Sequence, residues 1–514
     1  MPFCSILSGY DETDTDAGEH AEPDFFRDLN LDQIVGKVTA GKDGYDLKPF
    51  FFSPLSDLDS VVYRQEVFQD LEDPDVFDLM AAFAKQELVA RFTYRVREMQ
   101  DDDLGHNHYH RERHFLNAVE QYCAAVTSLA SGLAGTEVRS RGLRGLRDYL
   151  ASYIGAGAFT TLQAETGRLE DELDAVRYCL LIKGDRITVG RYDEEADYSE
   201  QVTATFKRFQ QGAVRNYLPE FRDWDTYAAA GVVDLVAKVY PGLFGALDTF
   251  CTQHKAYLDH TIGVVDRELQ FYLSYLDYIR PLRNAGLTLS YPRMSAAAKD
   301  EQAAGTFDLA LAAQLTGRGA PVVCNDICLT GAERILVVSG PNNGGKTTLA
   351  RTFGQLHYLA RLGCPVPGRD VHLFLCDQIF THFEREEALT TLTGKLQDEL
   401  NRLHAGLTQA TADSVVILNE MFNSTTAQDA LFLSGQILGA VSGLDALGIC
   451  VTFLDELATL NEKTVSMVAA VDPDDPAIRT YKIIRKPADG RAYARAIADK
   501  YGLTYERLTG RSGQ

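Results

Sequence analysis

Apolar positions in this chain follow three regimes: a helical period over much of the first half, a brief two-residue period near residue 180, and short apolar runs alternating with helices after residue 320. From residue 25 to 177 the pattern is mainly helical. Val76 to Gln100 and Arg111 to Ala130 carry apolar residues at three- and four-residue spacing, which predicts two long helices. At YCLLIKGDRITVGRY, Tyr178 to Tyr192, the pattern becomes two short strands around a Gly-Asp turn, a hairpin signal. The hairpin opens a small inserted module, residues 178–231. In it Lys207, Arg208 and Arg215 interleave with Phe206, Phe209 and Tyr217. That mixture suits contact with a DNA backbone, and equally an amphipathic helix with a solvated basic face.

Helices return over residues 232–319. Ile262, Val265, Leu269, Tyr272, Leu276 and Ile279 keep one stripe, and Pro281 is expected to end or kink that helix. The Ala- and Gly-rich stretch 295–321 is expected to be a bridge. Beyond it, residues 320–514 predict strands at 334–339, 372–376, 414–419, 448–453 and 480–485, with helices between them. The expected fold is therefore multidomain, α followed by α/β, the last domain carrying a mostly parallel sheet flanked by helices. Residues 1–24 are acidic and poor in large apolar groups. They are expected to be disordered, with order beginning near Phe25.

The chemistry concentrates in RILVVSGPNNGGKTTLARTF, Arg334 to Phe353. A buried strand leads into Gly340-Pro341-Asn342-Asn343-Gly344-Gly345-Lys346-Thr347, which satisfies G-x-x-x-x-G-K-[ST], and Thr348 continues into a helix. Glycines let backbone N–H groups curl around a phosphate, and the helix N-terminus adds partial positive charge. Lys346 is placed to reach the β- and γ-phosphates of ATP, and the Thr347 hydroxyl to ligate Mg²⁺. A second apolar strand, SVVILNEM, ends in Asn419-Glu420. Asn419 suits the Mg²⁺ side of the site and Glu420 suits a general base on the attacking water.

Composition narrows the partners. A net charge of −23 over 514 residues excludes a surface that is basic throughout, though not a local basic face. The nine cysteines are scattered and often flanked by apolar residues, as in a reducing compartment, and no membrane span or leader is legible. Cys324 and Cys328 lack a second pair. DDDLGHNHYHRERH offers His106, His110 and His114 on one helical face, or His106, His108 and His110 on one strand face, with a transition metal as the ligand. A solvated loop joining two helices is the reading adopted.

GPNNGGKTTLAR, NEMFNSTTAQDA and VTFLDELATL together resemble the ATPase domain of MutS-family DNA mismatch repair proteins. VCNDICL before the loop strand, LNLDQIV with FFSPLSDLDSVVYRQEVF near the start, and RELQFYLSYLDYIRPL extend the likeness to about residues 25–505. The resemblance implies a helical core with lever helices, a DNA-contacting clamp at 178–231, and a cytoplasmic homodimer acting on mismatched or branched DNA with a repair-protein partner. It also implies nucleotide sites shared between subunits. Thr393, Gly394 and Lys395 would reach across, Glu399 and Asp429 match family acids, and Asn325 would lie near the adenine or ribose. Asn419 stands where the family carries Asp, and Phe453 where it carries His; both departures bear on hydrolysis rate. The chain enters the core too early for separate mismatch-reading and connector domains, so direct mismatch reading is not expected. The alternative reading is a nucleotide-gated scaffold with a slow ATPase and a protein partner.

Overall fold

The computed structural model describes residues 3–9, 21–86, 108–183, 186–193, 227–384, 394–475 and 478–488. The chain divides into two compact units. The first comprises Asp78–Glu137 and Gly145–Asp266 with the first two residues; the second comprises Phe3–Phe77, Val138–Arg144 and Arg267–Gln514.

The first unit is helical, with the expected hairpin inserted. Its long helices span His108–Gly135, Gly157–Asp174, Tyr227–Val239 and Pro241–Gln253. Val236, Ala237 and Phe244 form a small apolar centre, with Tyr109 set edge-on to Phe244 at 4.8 Å. Strands Tyr178–Lys183 and Arg186–Arg191 pair antiparallel, Leu180 opposite Val189. The basic and aromatic residues expected beyond the hairpin, Phe206 to Tyr217, lie outside the described residues. One expectation changes here. The histidine-rich segment is not a loop from His108 onward: helix His108–Gly135 begins there, its first turn held by Tyr109 against Phe244.

The second unit centres on a six-stranded sheet. Its strands are β1 (Ile335–Ser339), β2 (Ile379–His382), β3 (Val415–Asn419), β4 (Leu447–Val451), β5 (Thr464–Val471) and β6 (Arg479–Arg485). They lie in the order β2-β3-β4-β1-β5-β6, parallel except for β6. β1, β3 and β4 are buried along their full length, which is why they read as short, mainly aliphatic runs. Helices α1 (Lys346–Arg361), α2 (Lys395–Gln409) and α3 (Ala427–Leu444) accompany them.

The sequence expectation needs four corrections in this unit. The strand expected at 372–376 is Arg369–Phe374, and it belongs to a separate four-stranded sheet with Arg293–Ser295, Glu301–Thr306 and Asn325–Leu329. The stretch 295–321 is therefore not a plain bridge: it supplies strand Glu301–Thr306 and helix Leu309–Thr316, capped by Asp308 accepting from Leu311 N–H. Helix His260–Asn284 continues past Pro281 for a further turn. Near the N-terminus, Phe3–Gly9 is ordered, since Ile6 and Leu7 are buried and the Ser5 hydroxyl and Ile6 N–H donate to Glu268 at 2.6 and 2.8 Å. The acidic run that suggested disorder begins only after this segment.

N-terminal residues also wrap α1. Phe25 and Phe26 pack edge-on against Tyr358, whose hydroxyl donates 2.7 Å to Phe51 O. Gln355 is fully buried; it donates to Leu29 O and accepts from Leu309 N–H, both at 2.8 Å. Arg361 and Leu55 exchange two bonds at 2.9 and 3.1 Å. The helix behind the glycine loop is thus fixed on several sides by hydrogen-bonded side chains, not only by sheet packing.

Candidate nucleotide site

The glycine loop hangs from the end of β1 and turns directly into α1. Gly340, Asn343 and Gly345 take positive φ, at 116°, 57° and 91°. Strand β5 explains the first glycines: a Cβ on Gly340 would lie 3.1 Å from Ala469 backbone atoms, and one on Gly344 only 2.9 Å from Ala469 Cβ and Pro341 O. Gly345 caps α1 in the left-handed conformation, which leaves the first-turn N–H groups open toward the loop. Pro341 is buried, whereas Asn342 and Asn343 face solvent. Arg479 Nε donates 3.1 Å to Asn342 O and ties β6 to the loop.

Lys346 is 4% exposed. Its Nζ donates to Gly340 O at 2.8 Å and Pro341 O at 3.2 Å, and it sits 4.1 Å from the centre of the Phe453 ring. Burial pulls the ammonium down from its ordinary 10.5 to about 8; the Glu420 carboxylate favours the charge and the Arg479 guanidinium opposes it. A shift of that size is about 3 kcal/mol against the charged form, and an arriving anion would reverse it.

Two oxygens expected to share a cation do meet. The Thr347 hydroxyl donates 3.0 Å to Asn419 Oδ1, joining the start of α1 to the end of β3. Such a hard, all-oxygen pair suits Mg²⁺, though the amide brings no negative charge. Glu420 follows in a left-handed conformation, φ 54°, with its N–H held by Val451 O at 2.9 Å. This strained turn carries the carboxylate off the strand end, where Asn423 Nδ2 donates to it at 3.4 Å.

Glu399 has a place that its motif match did not foretell. It is buried, accepts the Phe422 N–H at 2.8 Å and bonds His382 Nε2 at 2.9 Å. Burial raises its carboxyl, but His382 and the Phe422 N–H outweigh that and hold it below the ordinary range. Glu399 therefore fixes the turn that presents Glu420. Asp429 closes a reciprocal cap at the start of α3: its N–H donates to Thr426 Oγ1 and its carboxylate accepts from that hydroxyl.

The remaining expected residues are less direct. Asn325 spends its side chain on β6, donating to Tyr481 O at 3.1 Å and accepting from Ile483 N–H at 2.8 Å. Its link to the loop runs through Tyr481, whose carbonyl would lie 3.6 Å from a Cβ on Gly345. Thr348 follows inside α1, where its carbonyl accepts from Thr352. Gly394 caps α2 and is exposed; Thr393 lies outside the described residues. Tyr481, half-exposed and at φ 58°, was not singled out from sequence, and neither were Arg479 and Ala469. A strand edge over the loop has no local motif to betray it.

Loop, buried lysine and oxygen pair share the carboxyl-end edge of one parallel sheet, where a triphosphate would meet all three. The class this defines is a P-loop domain. A model of MutS domain V matches residues 336–507, the stretch that holds the loop, Asn419 and Glu420. This third of the chain is thus similar to domain V of the MutS family. The chain is 30% identical to the Endonuclease MutS2 of Gemmatimonas aurantiaca over 187 residues, 36% of this chain and 23% of that protein. Against the DNA mismatch repair protein MutS of Chlorobaculum tepidum it is 27% identical over 234 residues, 45% of this chain and 25% of that one. Against the Endonuclease MutS2 of Thermus thermophilus it is 31% identical over 188 residues, 36% and 25% of the two chains. The match spans about a quarter of each relative's length. Among the described residues no helix is long and apolar enough to cross a membrane.

Proposed function

We propose that this chain binds and hydrolyses Mg²⁺·ATP at the loop, and that this activity is coupled to duplex or branched DNA in repair or recombination-related processing. The observation that carries the reading is the meeting of Thr347 and Asn419 beside a buried, desolvated Lys346. The family relation supports the DNA partner, as the relatives' names refer to mismatch repair and endonuclease activity. A homodimer in the cytoplasm, with a repair-protein partner, belongs to the same proposal.

In this reading Lys346 and the loop amides hold the phosphates, and Thr347 and Asn419 hold Mg²⁺. The ion supplies charge neutralisation at the phosphate oxygens. Glu420 orients and deprotonates the attacking water, and Glu399 keeps it in place through the Phe422 turn. The neutral Asn419 predicts weak ion affinity and slow turnover, not loss of nucleotide binding. Glu420→Gln tests the assignment: nucleotide binding should persist while turnover falls at least about tenfold. Unchanged turnover would remove Glu420 from the chemistry.

A further inference from the structure

We propose that the helical unit holds a divalent transition-metal site formed by His108, Glu112 and Asp248, with Zn²⁺ the best-fitting ion. His108 and Glu112 stand four residues apart on helix His108–Gly135, hence one above the other on a single face. Asp248 approaches from helix Pro241–Gln253. One ligand atom from each lies within 4.8 Å of the other two. His108 Nε2 is 3.5 Å from Glu112 Oε1 and 2.6 Å from Asp248 Oδ1.

The carboxylate of Glu112 is the telling member. It is only 7% exposed, its Oε2 has no N–H or hydroxyl donor among the described residues, and its carboxyl partner is the Asp248 side chain. Two carboxyl groups in contact, one of them buried, need a shared proton or a cation between them, and here an imidazole completes the cluster. A cation placed between them would satisfy all three. Tetrahedral Zn²⁺ with its usual bond lengths separates its ligand atoms by about 3.3 Å. The His108–Glu112 spacing already suits that, and the His108–Asp248 contact needs to widen by only about 0.7 Å. Asp248 and His108 are both partly solvent-exposed, so this adjustment disturbs no packed core.

The donor set narrows the ion. An imidazole nitrogen with two carboxylates favours Zn²⁺ or its neighbours over Mg²⁺ and Ca²⁺, which take oxygen. Three protein ligands leave a fourth position for water, and the ion would tie two helices that are distant in sequence. The neighbouring histidines are a separate feature: His110 and His114 meet edge-on at 4.4 Å, a residue or two further round the same helix. The family domain does not cover these residues.

The test uses the purified full chain, stripped with a chelator and without nucleotide. Zn²⁺ is titrated by calorimetry and Co²⁺ by visible absorption. The proposal expects one equivalent of Zn²⁺, weakened by about tenfold or more in His108→Ala and in the isosteric Asp248→Asn. Binding should be unchanged in the His110→Ala/His114→Ala double variant. Co²⁺ should give the bands of nitrogen and oxygen ligation without thiolate charge transfer. Absence of the equivalent, its survival in Asp248→Asn, its loss in the double variant, or thiolate bands would each overturn the site. Circular dichroism of every variant separates lost ligation from lost folding.

Discussion

Raising the pH should release nucleotide from this protein through one lysine. Lys346 is nearly fully buried against carbonyls and the Phe453 ring, and its desolvation brings the ammonium to about 8. The charged form is the one that meets phosphate, so the sign is fixed: affinity is full below pH 8 and falls as pH rises through it. The charged fraction drops from about nine-tenths at pH 7 to about one-tenth at pH 9, a loss of about tenfold in affinity for ADP. Because bound phosphate restores the charge, binding at pH 9 should take up close to one proton. Calorimetry with ADP and saturating Mg²⁺, in buffers of different ionisation enthalpy, reads both quantities. Lys346→Met should bind weakly at every pH, with little dependence between 7 and 9. A wild-type affinity that stays flat over that range, or a variant that retains the full pH dependence, would refute the argument.

Three further outcomes follow from the geometry. Asn419→Asp puts a charge beside Thr347 and should lower the Mg²⁺ concentration for half-maximal activity, by about tenfold, in a metal titration; no change would mean that Asn419 does not face the ion. Gln355→Ala strands the buried Leu29 carbonyl and Leu309 N–H, and should cost about 2–4 kcal/mol in urea unfolding. Buried His357 lies 3.1 Å from buried Glu301; burial pulls the imidazole down, but Glu301 and Cys376 outweigh it and leave it raised to about 10. A raised folded value gives stability that is complete below the unfolded 6.5 and lost as pH climbs to about 10, so the gap between wild type and Glu301→Gln in urea melts should close over that window.

The phosphate loop and the strand ending in Asn419-Glu420 were legible because each needs particular residues in sequence: glycines where a Cβ would strike Ala469, a hydroxyl after lysine, polar groups at a strand end. The centre of the parallel sheet was legible from the mainly aliphatic runs of β1, β3 and β4, but β2 and β5 were not. What escaped was whatever depends on partners far along the chain. Strand β5, TVSMVAAV, mixes small and large residues without a regular alternation, so Thr464–Val471 passed unnoticed. The apolar run near residue 372 could not announce which of two sheets it joins. Ile6 and Leu7 looked isolated in a polar terminus, although Glu268, more than 250 residues away, accepts from the backbone that carries them. Asp248 lies 140 residues from His108, beyond any spacing rule.

Steady-state ATP hydrolysis by the purified chain, alone and with homoduplex, mismatched and branched DNA, tests the central claim most directly, with Lys346→Ala as the control. Basal hydrolysis should be slow, altered by DNA (branched or plain duplex at least as well as mismatched) and lost in the variant. Hydrolysis that persists in Lys346→Ala would contradict the site. Hydrolysis indifferent to every DNA would contradict the coupling and favour a nucleotide-gated scaffold whose partner is a protein.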